Sequence, residues 1–170
     1  MEISLDMLLK SRDERYKKQQ DLLQKYPDKT LLCLTVIMPG SVKRNSSSLF
    51  VAQVGKEVLF KEFSSKIVFY EQRDLQTGFE AYIIIDKEKT DVKKILCSIE
   101  ESHPLGRLFD IDVINSDGVP ISRKDIGLPP RKCLICGEES RFCMRNFTHT
   151  QEELHSKIQQ MIDEYKKSIC

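Results

Sequence analysis

Hydrophobic positions along the chain change period several times, and each change marks an element. Leu31–Met38 (LLCLTVIM) is apolar and rich in β-branched residues, with Pro27-Asp28 before it and Pro39-Gly40 after it, the pattern of a buried strand. Over Ser46–Phe63, Phe50, Val54, Val58 and Leu59 recur at helical spacing, and Asn45 or Ser46 can cap that helix. Lys66–Gln72 alternates as a strand does, Thr77-Gly78 turns, and Phe79–Ile85 returns, which predicts an antiparallel pair. Asp91–Glu101 sets Val92, Ile95, Leu96 and Ile99 on one stripe of a helix that Pro104 and Gly106 stop. Leu108–Ile114 reads as a last strand, with Asp117-Gly118 turning after it.

The flanks read differently. Ser11 followed by Glu14 resembles a capping box, so the pattern predicts a short helix over Leu5–Leu9 and a second from Arg12 to Tyr26, ended by Pro27. Beyond residue 116 lie the basic stretch ISRKDIGLPPRK and a cysteine-rich loop. A final helix starts near Thr150, boxed with Glu153, with Leu154, Ile158, Met161, Ile162 and Tyr165 as its apolar stripe. The order from Leu31 to Ile114 is βαββαβ, which predicts an α+β, ferredoxin-like core: an antiparallel, palm-like sheet with helices on one face. The whole chain, 1–170, then forms one unit, with N-terminal helices over 1–27, the core over 30–116, and the basic, Cys-rich loop and last helix over 117–170. Many unrelated functions share this plan, so fold alone decides none of them.

Charge narrows the classes. The 27 basic and 26 acidic side chains leave a net charge of +1, too little for a protein that holds nucleic acid by bulk phosphate neutralisation. No run approaches the roughly 18 apolar residues of a membrane span, and MEISLDMLLKSRDER has no basic region followed by a long apolar core, so neither a membrane anchor nor a secretory leader is expected. Six cysteines in such a chain fit a reducing, cytoplasmic setting and metal binding or burial rather than a disulfide framework.

Asp110-Ile111-Asp112 interrupts an otherwise apolar strand, and residues two apart on a strand share a face. Two close carboxylates repel unless a cation sits between them, and magnesium takes hard oxygen ligands while leaving positions for phosphate. The competing reading is an exposed sheet face that merely wets both aspartates. Pro39-Gly40-Ser41-Val42-Lys43-Arg44 lies between a strand end and a helix start, where backbone N–H groups and Lys43 favour an anion. It lacks the Gly-Lys-Ser/Thr of a P-loop. Gly106-Arg107 introduces the aspartate strand; Arg12, Arg15, Arg123 and Arg131 are further phosphate candidates, each equally readable as a surface arginine. His103 sits where a histidine either caps helix carbonyls or transfers a proton. Cys133, Cys136, Cys143 and His149 offer the ligands of a closed, structural zinc site, against the alternative of a reduced loop without metal. Cys33 and Cys97 read as core packing.

Taken together, several segments resemble the apo-citrate lyase phosphoribosyl-dephospho-CoA transferase family, also called citrate lyase holo-acyl-carrier-protein synthases. They are Ser11–Arg15, Met38-Pro39-Gly40 with Lys43, His103-Pro104-Leu105-Gly106-Arg107-Leu108-Phe109-Asp110-Ile111-Asp112-Val113, Ser122-Arg123, Leu128–Cys136, and the spacing to Cys143 and His149. The resemblance implies a nucleotidyltransferase-type reaction. A serine hydroxyl of the acyl-carrier subunit of citrate lyase attacks the α-phosphorus of 2′-(5″-triphosphoribosyl)-3′-dephospho-CoA, and diphosphate leaves. On that expectation Asp110 and Asp112 hold Mg²⁺, and Arg107, Lys43, Arg12 and Arg15 meet phosphates. An aspartate or His103 acts as base, and Gly40, Gly106, Arg123 and Arg131 complete the substrate set. The alternatives are a non-enzymatic ferredoxin-like module that docks an acyl-carrier protein or an RNA, and a different phosphotransferase such as a pyrophosphokinase.

Overall fold

The computed structural model describes residues 1–169; Cys170 lies outside the described residues. Helix α1 (Leu5–Lys25) precedes strand β1 (Thr30–Val36), helix α2 (Ser46–Phe63), the hairpin β2 (Ile67–Leu75) and β3 (Gly78–Ile85), helix α3 (Lys89–Ser102) and strand β4 (Phe109–Ile114). Helices α4 (Ser140–Asn146) and α5 (Gln151–Ile169) close the chain, and short 3₁₀ turns occupy Gly106–Leu108 and Lys124–Ile126. The four strands form one sheet in the order β2-β3-β1-β4, and every neighbouring pair is antiparallel. The expected βαββαβ element order is present. No helix among the described residues is long and apolar enough to cross a membrane.

One face of the sheet is apolar from edge to edge. Leu32 and Leu34 of β1, Ala81, Ile83 and Ile85 of β3, and Phe109 and Val113 of β4 pack there against α2, α3 and α5. Full burial of a Leu or Ile side chain contributes roughly 1.5–3 kcal/mol, so this layer anchors the fold. Helix α5 joins it through Ile158 and Ile162, and its N-terminus has the expected box: Thr150 N–H donates to Glu153 Oε2 at 2.8 Å and Glu153 N–H to Thr150 Oγ1 at 3.2 Å. Asn45 caps α2 in the same reciprocal manner with Ser48.

One expectation needs correction. The N-terminal segment is one helix, not two: Ser4 is its N-cap, and Ser11 sits buried in mid-helix with its hydroxyl 2.7 Å from Thr77 Oγ1. A serine that finds a tertiary partner has no reason to break a helix. The core helices α2 and α3 pack on the same face of the sheet, as expected, while the flanking helix α1 covers the other side, where Leu22 meets Leu31, Cys33, Tyr82, Ile84 and Ile114. Helix α4 was not anticipated; seven residues with an exposed Phe and Met flanking Cys143 carry no amphipathic signal.

Candidate active site

The α1 face of the sheet runs from apolar to polar in three rows of paired residues. Phe69, Ile84, Leu31 and Ile114 form the first row, under Leu22, Leu23 and Tyr26 of α1. Glu71, Tyr82, Cys33 and Asp112 form the second. Arg73 pairs with Glu80 and Thr35 with Asp110 in the third, since Glu80 and Thr35 each adjoin the Leu34–Ala81 pair. The period of two that sends Phe109, Ile111 and Val113 toward α3 thus sends Asp110 and Asp112 together to the α1 side.

Thr35 Oγ1 donates to Asp110 Oδ2 at 3.1 Å, and Arg131 Nη1 lies 3.9 Å from Asp110 Oδ1. Burial, and then the neighbouring Asp110 charge, raise the Asp112 carboxyl above its ordinary value; Lys93, Arg131 and Arg15 pull weakly the other way. A pair of hard oxygen donors left this short of compensation suits a divalent cation such as magnesium. Across the row, Arg15 Nε donates to Glu80 Oε1 at 2.8 Å while Tyr82 OH donates to Glu80 Oε2 at 2.6 Å. Burial works against the Arg15 charge, but Glu80 outweighs it and the guanidinium ends above its ordinary value. Burial pushes the Cys33 thiol up to about 12, so it packs and does not react.

Other sequence candidates gather at the margins of these rows. Lys43 donates to the Met38 carbonyl at 2.6 Å, and burial and then the Arg12 charge lower its pKa, so two cations crowd beside the stretch of α1 that leads to Arg15. A second basic group surrounds Glu100 of α3. Arg131 Nη2 donates to Glu100 Oε2 at 2.7 Å and Arg123 Nη2 to Oε1 at 3.0 Å, while Arg123 Nη1 reaches Glu101 at 2.9 Å. Arg107 donates to the Lys132 carbonyl, its Nε is buried without a partner, and burial lowers its pKa. Arg131 joins the two groups, because it touches both Glu100 and Asp110.

Three candidates stand apart. His103 ends α3, its Nδ1 accepting from Leu105 N–H at 3.0 Å, with its ring against Phe109 and Tyr165 on the opposite side of the sheet from the aspartates. Gly106 packs so tightly on α3 that a Cβ would stand 2.5 Å from the Ile99 carbonyl oxygen, which gives this glycine a structural reason. Gly40 adopts φ 77°, a left-handed conformation, beside Gln151 and His155 of α5.

Cys133, Cys136, Cys143 and His149 converge, with one ligand atom from each lying within 4.8 Å of the others. Cys136 Sγ is 3.4 Å from Cys143 Sγ and 3.3 Å from His149 Nε2. Burial raises the Cys133 thiol, but backbone N–H groups of Cys136 and Ile135 outweigh it and leave the pKa lowered to about 7, while Cys143 is raised to about 11 by burial and by its sulfur neighbours. One ready thiolate, two further sulfurs and an imidazole make a donor set that fits tetrahedral zinc with no position open.

Residues 3–165 match the family model for apo-citrate lyase phosphoribosyl-dephospho-CoA transferase, nearly the whole chain. The chain belongs to this family. It is 37% identical to the probable apo-citrate lyase phosphoribosyl-dephospho-CoA transferase of Vibrio cholerae, over 100% of this chain and 96% of that protein. It is 32% identical to the transferase of Escherichia coli O1:K1 / APEC, over 95% of this chain and 90% of that one. Protein CitXG of Haemophilus influenzae is 40% identical over 94% of this chain, which spans 35% of that longer protein.

Three polar residues of the candidate site escape the sequence pattern. Glu80 sits beside Ala81 in a strand otherwise read as apolar, and a charge in such a strand signals a buried partner. Glu100 lies one position after Ile99 of the apolar α3 stripe, so its role shows only once Arg123 and Arg131 fold against it. Thr35 needed the register with Asp110. No local pattern announces that pairing.

Proposed function

We propose that this chain attaches the phosphoribosyl-dephospho-CoA prosthetic group to a serine of the acyl-carrier subunit of citrate lyase, taking it from 2′-(5″-triphosphoribosyl)-3′-dephospho-CoA. The family match over residues 3–165 carries this reading. The relatives are named for a transfer to apo-citrate lyase. The core is read as ferredoxin-like, with the strand order β4-β1-β3-β2 of palm-type nucleotidyltransferases, and the polar rows of its α1 face as the active site.

On this reading the serine oxygen forms a bond to the α-phosphorus as the bond from that phosphorus to the diphosphate oxygen breaks. The serine proton passes to one carboxylate of the Asp110–Asp112 pair. Arg15, Arg12 and Lys43 bind the triphosphate from the α1 side, and Arg131 from the β4 edge, offsetting charge that grows on the departing diphosphate. Asp110 and Asp112 would hold Mg²⁺, which when bound supplies charge neutralisation for the polyphosphate. His103, turned toward Phe109 and Tyr165, takes no part. The Cys133, Cys136, Cys143 and His149 group would hold a structural zinc ion that shapes the segment carrying Arg131, and the absence of disulfides among the described cysteines suits a reducing cytoplasm.

The test is the mass of the apo acyl-carrier subunit after incubation with this chain, the triphosphoribosyl compound and Mg²⁺. A gain equal to the phosphoribosyl-dephospho-CoA group is expected. A carrier of unchanged mass defeats the assignment.

A further inference from the structure

The segment that follows Cys136 spends hydrophobic residues on solvent. Phe142, Met144 and Phe147 are 53%, 70% and 89% exposed, although Cys143 between them is buried in the sulfur cluster. Phe147 is also the only non-glycine residue with positive φ among those described, at 49°, in the left-handed position that ends α4. Glycine is the usual occupant there, because a side chain costs conformational energy at that angle. Phe147 thus bears that cost without burying its ring in the fold. Arg141 and Arg145 flank these side chains, both exposed and both without an ion pair among the described residues. From Ser140 to Gln151 the sequence contains no acidic residue.

This apolar and basic knuckle is joined through its first residue to the segment that reaches the aspartate pair. Ser140 N–H donates to the Arg131 carbonyl at 2.9 Å, and the Arg131 guanidinium approaches Asp110. We propose that Phe142, Met144 and Phe147, ringed by Arg141 and Arg145, form the surface on which the acyl-carrier partner docks, presenting carboxylates around an apolar contact so that its serine reaches Asp110. This rests on the transferase reading. Exposed aromatic anchors and unpaired arginines are the residues that carry most binding energy at such contacts, and unpaired charge adds salt-sensitive steering.

Two variants test it against the unaltered chain, each followed by steady-state transfer and by calorimetric binding to the apo acyl-carrier subunit. F147G places the residue that the left-handed angle favours, so its melting temperature should stay the same or rise. Its KM for the carrier should rise about tenfold, while kcat and the KM for the triphosphoribosyl compound hold. Arg141→Glu with Arg145→Glu should weaken carrier binding further at low salt and reverse the effect of salt, because added ions then screen repulsion instead of attraction. An unchanged carrier KM and affinity in both variants, with transfer intact, would overturn the docking assignment and leave the transferase reading standing. A carrier that the unaltered chain never modifies would overturn the transferase reading, and the docking assignment with it.

Discussion

The two faces of the sheet are built from the same strands yet serve opposite ends. Toward α2, α3 and α5, Leu32, Leu34, Ala81, Ile83, Ile85, Phe109 and Val113 form a continuous apolar layer. Toward α1 the apolar layer gives way after Leu31, Ile84 and Ile114: Glu71 and Asp112 flank buried Tyr82 and Cys33 in the next row, and Arg73, Glu80, Thr35 and Asp110 make up the third. Placing carboxylates on a half-covered sheet face costs stability, and burial and the Asp110 charge both raise the Asp112 carboxyl accordingly. Where a fold accepts such a cost, chemistry is the reason to look for. On the proposed function, one face holds the molecule together and the other works.

The contrast can be broken from either side. On the working face, Asp110→Asn should lower kcat by about a hundredfold or more, the loss expected of a principal electrostatic group, with the melting temperature held or raised. Loss of folding in that variant would mean that Asp110 is structural. On the holding face, Leu34→Ala should cost about 2–5 kcal/mol in denaturant unfolding while the folded fraction keeps its kcat, and a selective loss of activity would blur the division. Away from both faces, protein purified without added metal should contain zinc by elemental analysis. Stripping that zinc should lower the melting temperature by about 5–10 °C, the effect of a ligand held at roughly a hundred times its Kd. Cys133→Ser with Cys136→Ser should abolish the zinc.

The smallest effect concerns His103, packed on the holding side. Burial lowers its pKa below the ordinary 6.5, so the native state favours the neutral ring. The stability this gives is complete above pH 6.5 and falls as pH drops from 6.5 through the lowered native value. Urea titrations of the unaltered chain against His103→Asn should diverge only within that acidic window. Equal slopes there would show that the ring titrates as it does in water.

Much of the holding face was legible in the sequence because it obeys one rule at a time. The period of two in Phe109–Val113 and the helical stripe Val92, Ile95, Leu96 and Ile99 each named their own buried side. The aspartate pair was legible for the same reason. The rest of the working face was not, because its parts meet only in three dimensions: Arg15 finds Glu80 65 positions away, and Arg131 finds Glu100 31 positions away. Ser11 was misread as a cap because its local pattern is that of a cap, while the Thr77 hydroxyl that occupies it is remote. Phe147 gave no signal at all, since a left-handed backbone under an aromatic ring is visible only in the folded chain.

The central claim is that Asp110 and Asp112 together hold a divalent ion for the triphosphate. Mn²⁺ tests it most directly, since it is a paramagnetic cation that takes oxygen ligands and avoids a thiolate site. Its electron paramagnetic resonance signal, recorded with the triphosphoribosyl compound and this chain, should contain a protein-dependent component that disappears in Asp110→Asn with Asp112→Asn. The same component at full strength in that folded double variant would contradict the account.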